Sequence, residues 1–378
     1  HGGENLPQHG HNGFKASHLA CLQVLHDLGH SLLDGVQRSF YVGAVALVAQ
    51  HGQKLPVGRD DRALRQVGDL RGGQGADMKP DMPAADFLRT IDTITPHVVP
   101  NRVLIVITGG EALMRRDIEE VGRALYDRGY PWGIVTNGML LDERRLESLL
   151  RAGLHTATVS LDGFAETHNR IRRNERSYER ALGALRLLAR QPDILYDAVT
   201  CANADTLATL PRFRDFLIAE GVKRWRIFTI FPVGRGADDP SLQLDTEQFR
   251  RLMEFIRDTR REGRIAVNYG CEGFLGRYEG DVRDTFYHCS AGVSIAGIRV
   301  DGAISGCTSI RARYDQGNIY RDDFMDVWNN RFAPYRDREW MRHGACGNCR
   351  VFKYCRGNGM HLRDETGQLL VCHYKKLL

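Results

Sequence analysis

With 378 residues, 42% of them hydrophobic and 26% charged, the chain is long enough for one large domain and a smaller one, and its composition is that of an ordinary globular protein. No run of about 18 apolar residues occurs, so a spanning helix and membrane insertion are not expected. The net charge of +5 is spread over scattered basic residues, so no nucleic-acid partner is expected either, and a cytoplasmic location follows by default.

Residues 1–78 stand apart from the rest. They hold seven of the fourteen histidines and thirteen of the forty glycines, and beyond a possible helix from Leu19 to Leu33 they carry little apolar periodicity. The most apolar short stretch, Tyr41 to Ala49, is too short to span a membrane and lies too deep, without a basic flank, to be a signal segment. The chain begins with His1, and its true start is expected to lie upstream.

From Lys79 the pattern becomes regular. Asp81 to Thr95 reads as a helix with Pro83 in its first turn, and Arg102 to Thr108 as a buried parallel strand. Helix Asp117 to Arg128 follows, with Gly129 suited to its C-terminal cap. Then come strand Trp132 to Thr136, helix Asp142 to Ala152, strand Thr156 to Leu161, helix Ser177 to Arg190 and strand Leu195 to Cys201. Helix Leu207 to Glu220, strand Trp225 to Ile230, helix Thr246 to Arg261 and strand Ile265 to Asn268 complete the series. Strands alternating with helices at this spacing predict right-handed βαβ units and a parallel sheet. A closed or partly closed barrel is preferred to an open doubly wound sheet, because no GxGxxG opens the first helix. After residue 270 the pattern breaks into short pieces, as in a small domain held by metal.

Three consecutive strands end in residues suited to a polar ligand. Gly109-Gly110-Glu111 follows the first, and its glycines allow close approach to the backbone while the carboxylate can pair with an ammonium group. Thr136-Asn137-Gly138 follows the second and Ser160-Leu161-Asp162-Gly163 the third. Singly each reads as a turn or a helix cap; together they point to one shared ligand at the rim. The basic cluster Arg170-Ile171-Arg172-Arg173 reads as solvated surface.

Seven of the nine cysteines lie at or beyond position 271. In a chain that needs no disulfides to fold, such clustering favours metal. Cys346-x2-Cys349-x5-Cys355, with Cys372 seventeen residues on, offers four thiolates that suit an iron–sulfur cluster or a structural zinc. Cys289-x12-Gly302-x4-Cys307 supplies two more, with Cys271 a plausible third. Cys21 and Cys201 read as buried core thiols.

These motifs, in this order, resemble the radical S-adenosylmethionine (SAM) superfamily with a SPASM-type C-terminal domain. The resemblance runs from about Met78 to the C-terminus and includes Asp162-Gly163 with His168-Asn169-Arg170, FTIFPVGRG (228–236), CEGFLGRYE (271–279), QGNIY (316–320) and YCRGNGMHL (354–362). The combination is similar to a subgroup encoded beside lipoproteins. It implies a partial (β/α)6 TIM-like barrel over residues 79–268 and a SPASM-like domain over 269–378, after an atypical segment 1–78. It implies SAM and 4Fe–4S clusters as cofactors, a reductant such as flavodoxin or ferredoxin, and radical hydrogen abstraction from a peptide or protein substrate. Gly109, Gly110 and Glu111 would bind the methionine amino group, with Ser160 and Asp162 near the ribose and Thr136 and Asn137 beside the same pocket. Cys346, Cys349, Cys355 and Cys372 would ligate an outer auxiliary cluster, and Cys271, Cys289 and Cys307 an inner one.

Two departures from the family pattern stand out. The position that should supply a further auxiliary ligand is Gly359, which leaves the inner cluster with three thiolates and an open iron, or without a cluster. The family's CxxxCxxC signature should lie shortly before Lys79, yet Leu70 to Met78 (LRGGQGADM) holds no cysteine, and no catalytic residue is identifiable there. His26 and His30, at i, i+4 spacing, do not replace the missing loop. The expectation is that residues 1–78 are partly a frame-shifted or misassembled translation. The competing readings are a catalytically dead scaffold that binds peptide and a zinc-stabilised binding protein.

Overall fold

The computed structural model describes the backbone of residues 44–49 together with residues 81–233 and 235–378. Of the expectations above, the helix near Leu19 to Leu33, the histidine pair and the LRGGQGADM segment lie outside these residues. Helix α1 (Ala84–Ile94) buries Phe87, Ile91 and Ile94, one stripe at helical spacing, and Pro83 sits at its N-cap, just outside the first turn.

The alternating pattern then unfolds much as the periodicity predicts. Strands β2 (Leu104–Gly109), β3 (Trp132–Thr136), β4 (Leu154–Ser160), β5 (Leu195–Ala202), β6 (Arg224–Thr229) and β7 (Ala266–Tyr269) pair in sequence, all parallel. Helices α2 (Ile118–Asp127), α3 (Glu143–Arg151), α4 (Ala165–Arg172), α5 (Ser177–Ala189), α6 (Ala204–Ala219) and α7 (Thr246–Glu262) return the chain between them. Gly129 takes a positive φ of 82° just past α2, as a C-terminal cap requires. Helix α6 starts earlier than its apolar period suggests, because Asn203 and Thr206 form a reciprocal capping box.

Two elements differ from the sequence reading. The short apolar run Tyr41 to Ala49, left unassigned above, contains strand β1 (Ala44–Ala49), which lies parallel to β2 with Ala44 opposite Leu104 and Ala49 opposite Gly109. Helix α4 buries only His168 and so has no apolar stripe to betray it.

Among the described residues the sheet runs β10-β9-β8-β1-β2-β3-β4-β5-β6-β7 and stays open. Strands β1 to β6 form the six-stranded α/β unit, and β7 extends it. At the other edge, β8 (Ile295–Arg299) lies parallel to β1, and β9 (Ala303–Ser305) and β10 (Gly317–Asn318) continue antiparallel. The cysteine-rich region therefore touches both edges of the sheet. It leaves β7 at that strand's C-terminal end, the rim where parallel α/β sheets hold ligands. No helix of the described residues is long and apolar enough to cross a membrane.

Candidate functional site at the strand ends

The rim is tied together by Glu111. Gly109, with φ of 142°, turns the chain out of β2, a conformation open to glycine alone. Glu111 then folds back, only 2% exposed. Its Oε1 accepts from Leu113 N (3.1 Å) and Thr136 Oγ1 (2.6 Å), and its Oε2 from Asn137 N (2.7 Å). Burial raises its pKa, while those three donors and the charge of Arg172 pull the other way. Asn137 closes its own turn by accepting from Met139 N at 2.9 Å. A Cβ on Gly138 would stand 2.7 Å from Ala181 Cα, so that turn admits no larger residue.

Asp162 is fully buried and both its oxygens are engaged. Oδ1 accepts from Cys201 N (3.0 Å) and Oδ2 from Arg172 Nε (2.6 Å). His168 Nδ1 accepts from Asp162 N at 2.9 Å, which puts the imidazole proton on Nε2. Burial holds His168 neutral, with its pKa lowered to about 4. For Asp162, burial works to raise the pKa, but Arg172 and the neighbouring bonds win and lower it. Arg172 is one of the residues that the sequence reading misses. It sits four positions after His168 on one face of α4, and that spacing was the available signal. The solvated reading of its basic cluster fails here, because Arg172 turns inward between the carboxylates of Asp162 and Glu111.

One face of β4 to β6 is half exposed and polar. Thr158 donates to Asp197 (2.7 Å), and Arg226 pairs with Asp197 and donates to Thr158 (2.9 Å). Ser160 ends β4 half buried. Cys201 is also half buried, at the mouth end of β5, and is not a sealed core thiol. Burial and the adjacent Asp162 push its thiol up to about 12, so it stays protonated.

The structure brings the seven downstream cysteines together as two sets. Cys271, Cys289 and Cys307 lie within Coulombic reach of one another. Cys355 and Cys372 are likewise close to each other and to Cys346 and Cys349. Burial pushes Cys355 up to about 12, whereas Arg338 and backbone bonds from Met360 and Ala291 lower Cys289, and Cys271 is exposed. Among the described residues, no three Cys, His, Asp or Glu side chains converge closely enough for a single ion. The thiolates of an iron–sulfur cube sit further apart than that, since each binds its own iron.

Each set has a buried arginine beside it. Arg338, 4% exposed, donates to the carbonyls of Tyr335, Asn358 and Cys289. Arg363, 2% exposed, donates to the carbonyls of Gly357, Gly367 and Met341 and to Cys346 Sγ at 3.3 Å. Among the described residues neither has a carboxylate partner. A buried guanidinium without a counter-charge is costly, and an anionic thiolate-bound cluster beside each would supply one. Between the two sets, Arg356, Gly357 and Asn358 all take positive φ (48°, 83° and 72°). Asn358 holds this strained turn by accepting from Phe274 N (3.2 Å) and donating to Val371 O (3.0 Å).

Next to Cys271, the fully buried Glu272 accepts from Thr229 N (2.7 Å), from Thr229 Oγ1 and from Tyr269 OH. Burial outweighs these bonds and lifts its pKa to about 7. The metal-free fold therefore binds a proton here that the unfolded chain releases near its ordinary value of 4.5, so this group's contribution to stability falls as pH rises from about 4.5 to about 7. Glu272→Gln is expected to remove that slope, worth about 3 kcal/mol, in denaturant titrations of the metal-free protein across this range. An unchanged pH slope would show that Glu272 is ionised in the fold.

A parallel α/β sheet with a polar rim and a thiol-rich domain over its strand ends defines a class of cofactor-dependent enzyme. Residues 73–200 match the radical SAM superfamily and residues 289–350 match the SPASM iron–sulfur cluster-binding domain. The chain carries a radical SAM domain and a SPASM domain, and these domains imply SAM and 4Fe–4S clusters as cofactors. It is 27% identical over 285 residues to the AdoMet-dependent heme synthase of Methanosarcina barkeri, covering 71% of this chain and 80% of that protein. It is 28% identical to the mycofactocin maturase MftC of Mycolicibacterium smegmatis, covering 69% and 67% of the two chains. Among solved structures, anSMEcpe with bound AdoMet superposes with a TM-score of 0.66 at 14% identity, over 88% of this chain and 94% of that one. Streptococcus suis SuiB bound to SAM gives 0.61 at 18% identity, over 84% and 73%. These likenesses show the fold, with the partial barrel of such proteins. The superfamily match begins at residue 73, well past β1.

Proposed function

We propose that this chain keeps the SAM site and the auxiliary-cluster sites of a lineage whose intact members direct radical chemistry, started from SAM, at a peptide or protein side chain. The observation that carries the reading is the pair of thiol sets downstream of β7, each with a buried arginine that lacks a carboxylate partner among the described residues. Gly109, Gly110 and Glu111 take the methionine end of SAM, with Thr136, Asn137, Ser160 and the Asp162–His168–Arg172 network shaping the rest of the pocket. Cys271, Cys289 and Cys307 hold an inner cluster, and Cys346, Cys349, Cys355 and Cys372 an outer one. When bound, such clusters relay electrons between a substrate radical and a reductant such as flavodoxin or ferredoxin. The peptide substrate is supported by relatives named as a PqqA peptide cyclase and as mycofactocin maturases. A tetrapyrrole is the second reading, favoured by relatives named as heme and Fe-coproporphyrin III synthases.

The cluster that would cleave SAM does not fit this sequence. It needs three thiolates so that one iron stays free for SAM, and no cysteine lies between Cys21 and Cys201. In the family that loop follows the first strand, here β1. We assign the chain as it stands SAM binding and auxiliary clusters, without SAM cleavage.

Anaerobic reconstitution is expected to give iron, acid-labile sulfide and SAM retained in equilibrium dialysis, with no 5′-deoxyadenosine under dithionite. Exchanging residues 50–78 for a CxxxCxxC-bearing loop is expected to switch on 5′-deoxyadenosine formation. A rise in that yield on adding candidate peptides would support the first substrate class, and a rise with Fe-coproporphyrin III instead would select the second. Zinc without sulfide, together with indifference to SAM, would sink the reading.

A further inference from the structure

The inner thiol set lacks a fourth ligand in the family pattern, because position 359 is glycine. A Cβ built on Gly359 would stand 2.6 Å from Cε1 and 3.0 Å from Nδ1 of His361, and 2.9 Å from the carbonyl oxygen of Glu272. The imidazole of His361 thus occupies the space that a side chain at 359 would enter. The surroundings of that space are those of the inner set. Glu272 directly follows Cys271, and Met360, between Gly359 and His361, donates its backbone N–H to Cys289. Arg338 acts electrostatically on both Cys289 and His361.

His361 is 6% exposed, and its Nε2 is buried without a hydrogen-bond partner. An orphaned ring nitrogen in a dry site is costly unless something binds it. The ring lies against Phe231, with 4.4 Å between centroids. His373 is the competing donor, since its Nδ1 is also buried without a partner. Its Nε2, however, stands 3.6 Å from Glu272 Oε2, and its ring crowds Gly273, not Gly359.

We infer that His361 is the fourth protein ligand of the inner cluster, taking the iron that a cysteine at position 359 would hold. The inference rests on the cluster-binding reading above. Neutral imidazole gives the Nε2 lone pair to iron and keeps its proton on Nδ1, so ligation needs no oxidant or reductant. A cluster with three thiolates and one imidazole carries one negative charge fewer than an all-thiolate cluster. Its potential is therefore higher, as histidine ligation raises it in Rieske centres.

The test is pulsed EPR on the full chain, reconstituted anaerobically, reduced, and prepared with natural and with 15N-labelled histidine. The expected result is a coupling from a directly bonded nitrogen that rescales with the isotope. It should vanish in His361→Ala and persist in His373→Ala. In His361→Cys it should vanish while iron content is retained and the midpoint potential falls. An inner-cluster signal without nitrogen coupling in the unaltered chain, or a coupling that survives in His361→Ala, overturns the assignment. Iron on the outer set alone, shown by its complete loss in Cys349→Ala, overturns the ligand assignment and leaves the functional reading standing. Absence of iron and sulfide from both sets overturns the two together.

Discussion

Replacing Arg363 with methionine is expected to lower the midpoint potential of the outer cluster by on the order of 100 mV and to hasten its loss to a chelator. The guanidinium touches Cys346 Sγ and, among the described residues, meets no carboxylate. Its positive charge therefore acts on the cluster directly. At about 5 Å and an effective dielectric constant near 20, one unit charge contributes about 3 kcal/mol to holding an added electron. For a one-electron couple, about 1.4 kcal/mol corresponds to about 59 mV, which sets the scale of the shift. Arg363 also caps the carbonyls of Gly357, Gly367 and Met341, so methionine additionally leaves buried acceptors unbonded. Arg363→Lys separates the two effects, because it keeps the charge and loses the fork. The lysine variant should hold the potential near that of the unaltered protein while melting at a lower temperature. A methionine variant that melts lower but titrates at the unaltered potential would make Arg363 a structural tie with no electrostatic role.

The same contrast between charge and architecture explains what the sequence could reveal. The alternating strands and helices from β2 to β7 are legible because each buried strand is a short apolar run and most of the connecting helices carry an apolar stripe. Buried stripes such as Phe87, Ile91 and Ile94 in α1, or Phe249, Leu252, Met253 and Ile256 in α7, set those periods. Strand β1 escapes because six apolar residues, AVALVA, fit a buried strand or a fragment of helix equally well, and no recognisable βα unit follows them. Helix α4 escapes because it is ordered by His168, Asp162 and Arg172, and polar networks have no period. The cysteine sets are legible as spacing, since metal ligands must come from short loops. The fourth inner ligand is not, because His361 lies two residues beyond the family's position and reaches back over Gly359 only in three dimensions. The arginines beside the clusters are invisible for a related reason, as a sequence does not say which of many arginines is buried without a carboxylate.

Replacing Glu111 with alanine is expected to abolish measurable SAM binding and to lower the melting temperature by on the order of 10 °C, with auxiliary iron unchanged. The side chain serves three donors at once, Leu113 N, Thr136 Oγ1 and Asn137 N, in a site only 2% exposed. Alanine leaves each of them unbonded, at about 1–3 kcal/mol for a buried polar group. For a domain of this size about 1 kcal/mol shifts the melting point by about 2–4 °C, which gives the magnitude above. The loss extends to binding because these bonds join the end of β2 to the end of β3 and tie the segment after Gly109 and Gly110 to the Thr136–Asn137 turn. Glu111→Gln separates shape from charge. It keeps one acceptor oxygen but sets an amide N–H₂ against donors, so it should recover part of the melting temperature and little of the SAM affinity. Calorimetric titration with SAM and thermal melting of the same preparations read the two effects independently. Unaltered SAM affinity in a correctly folded alanine variant would confine Glu111 to bracing the rim and move ammonium recognition to the backbone of Gly109 and Gly110.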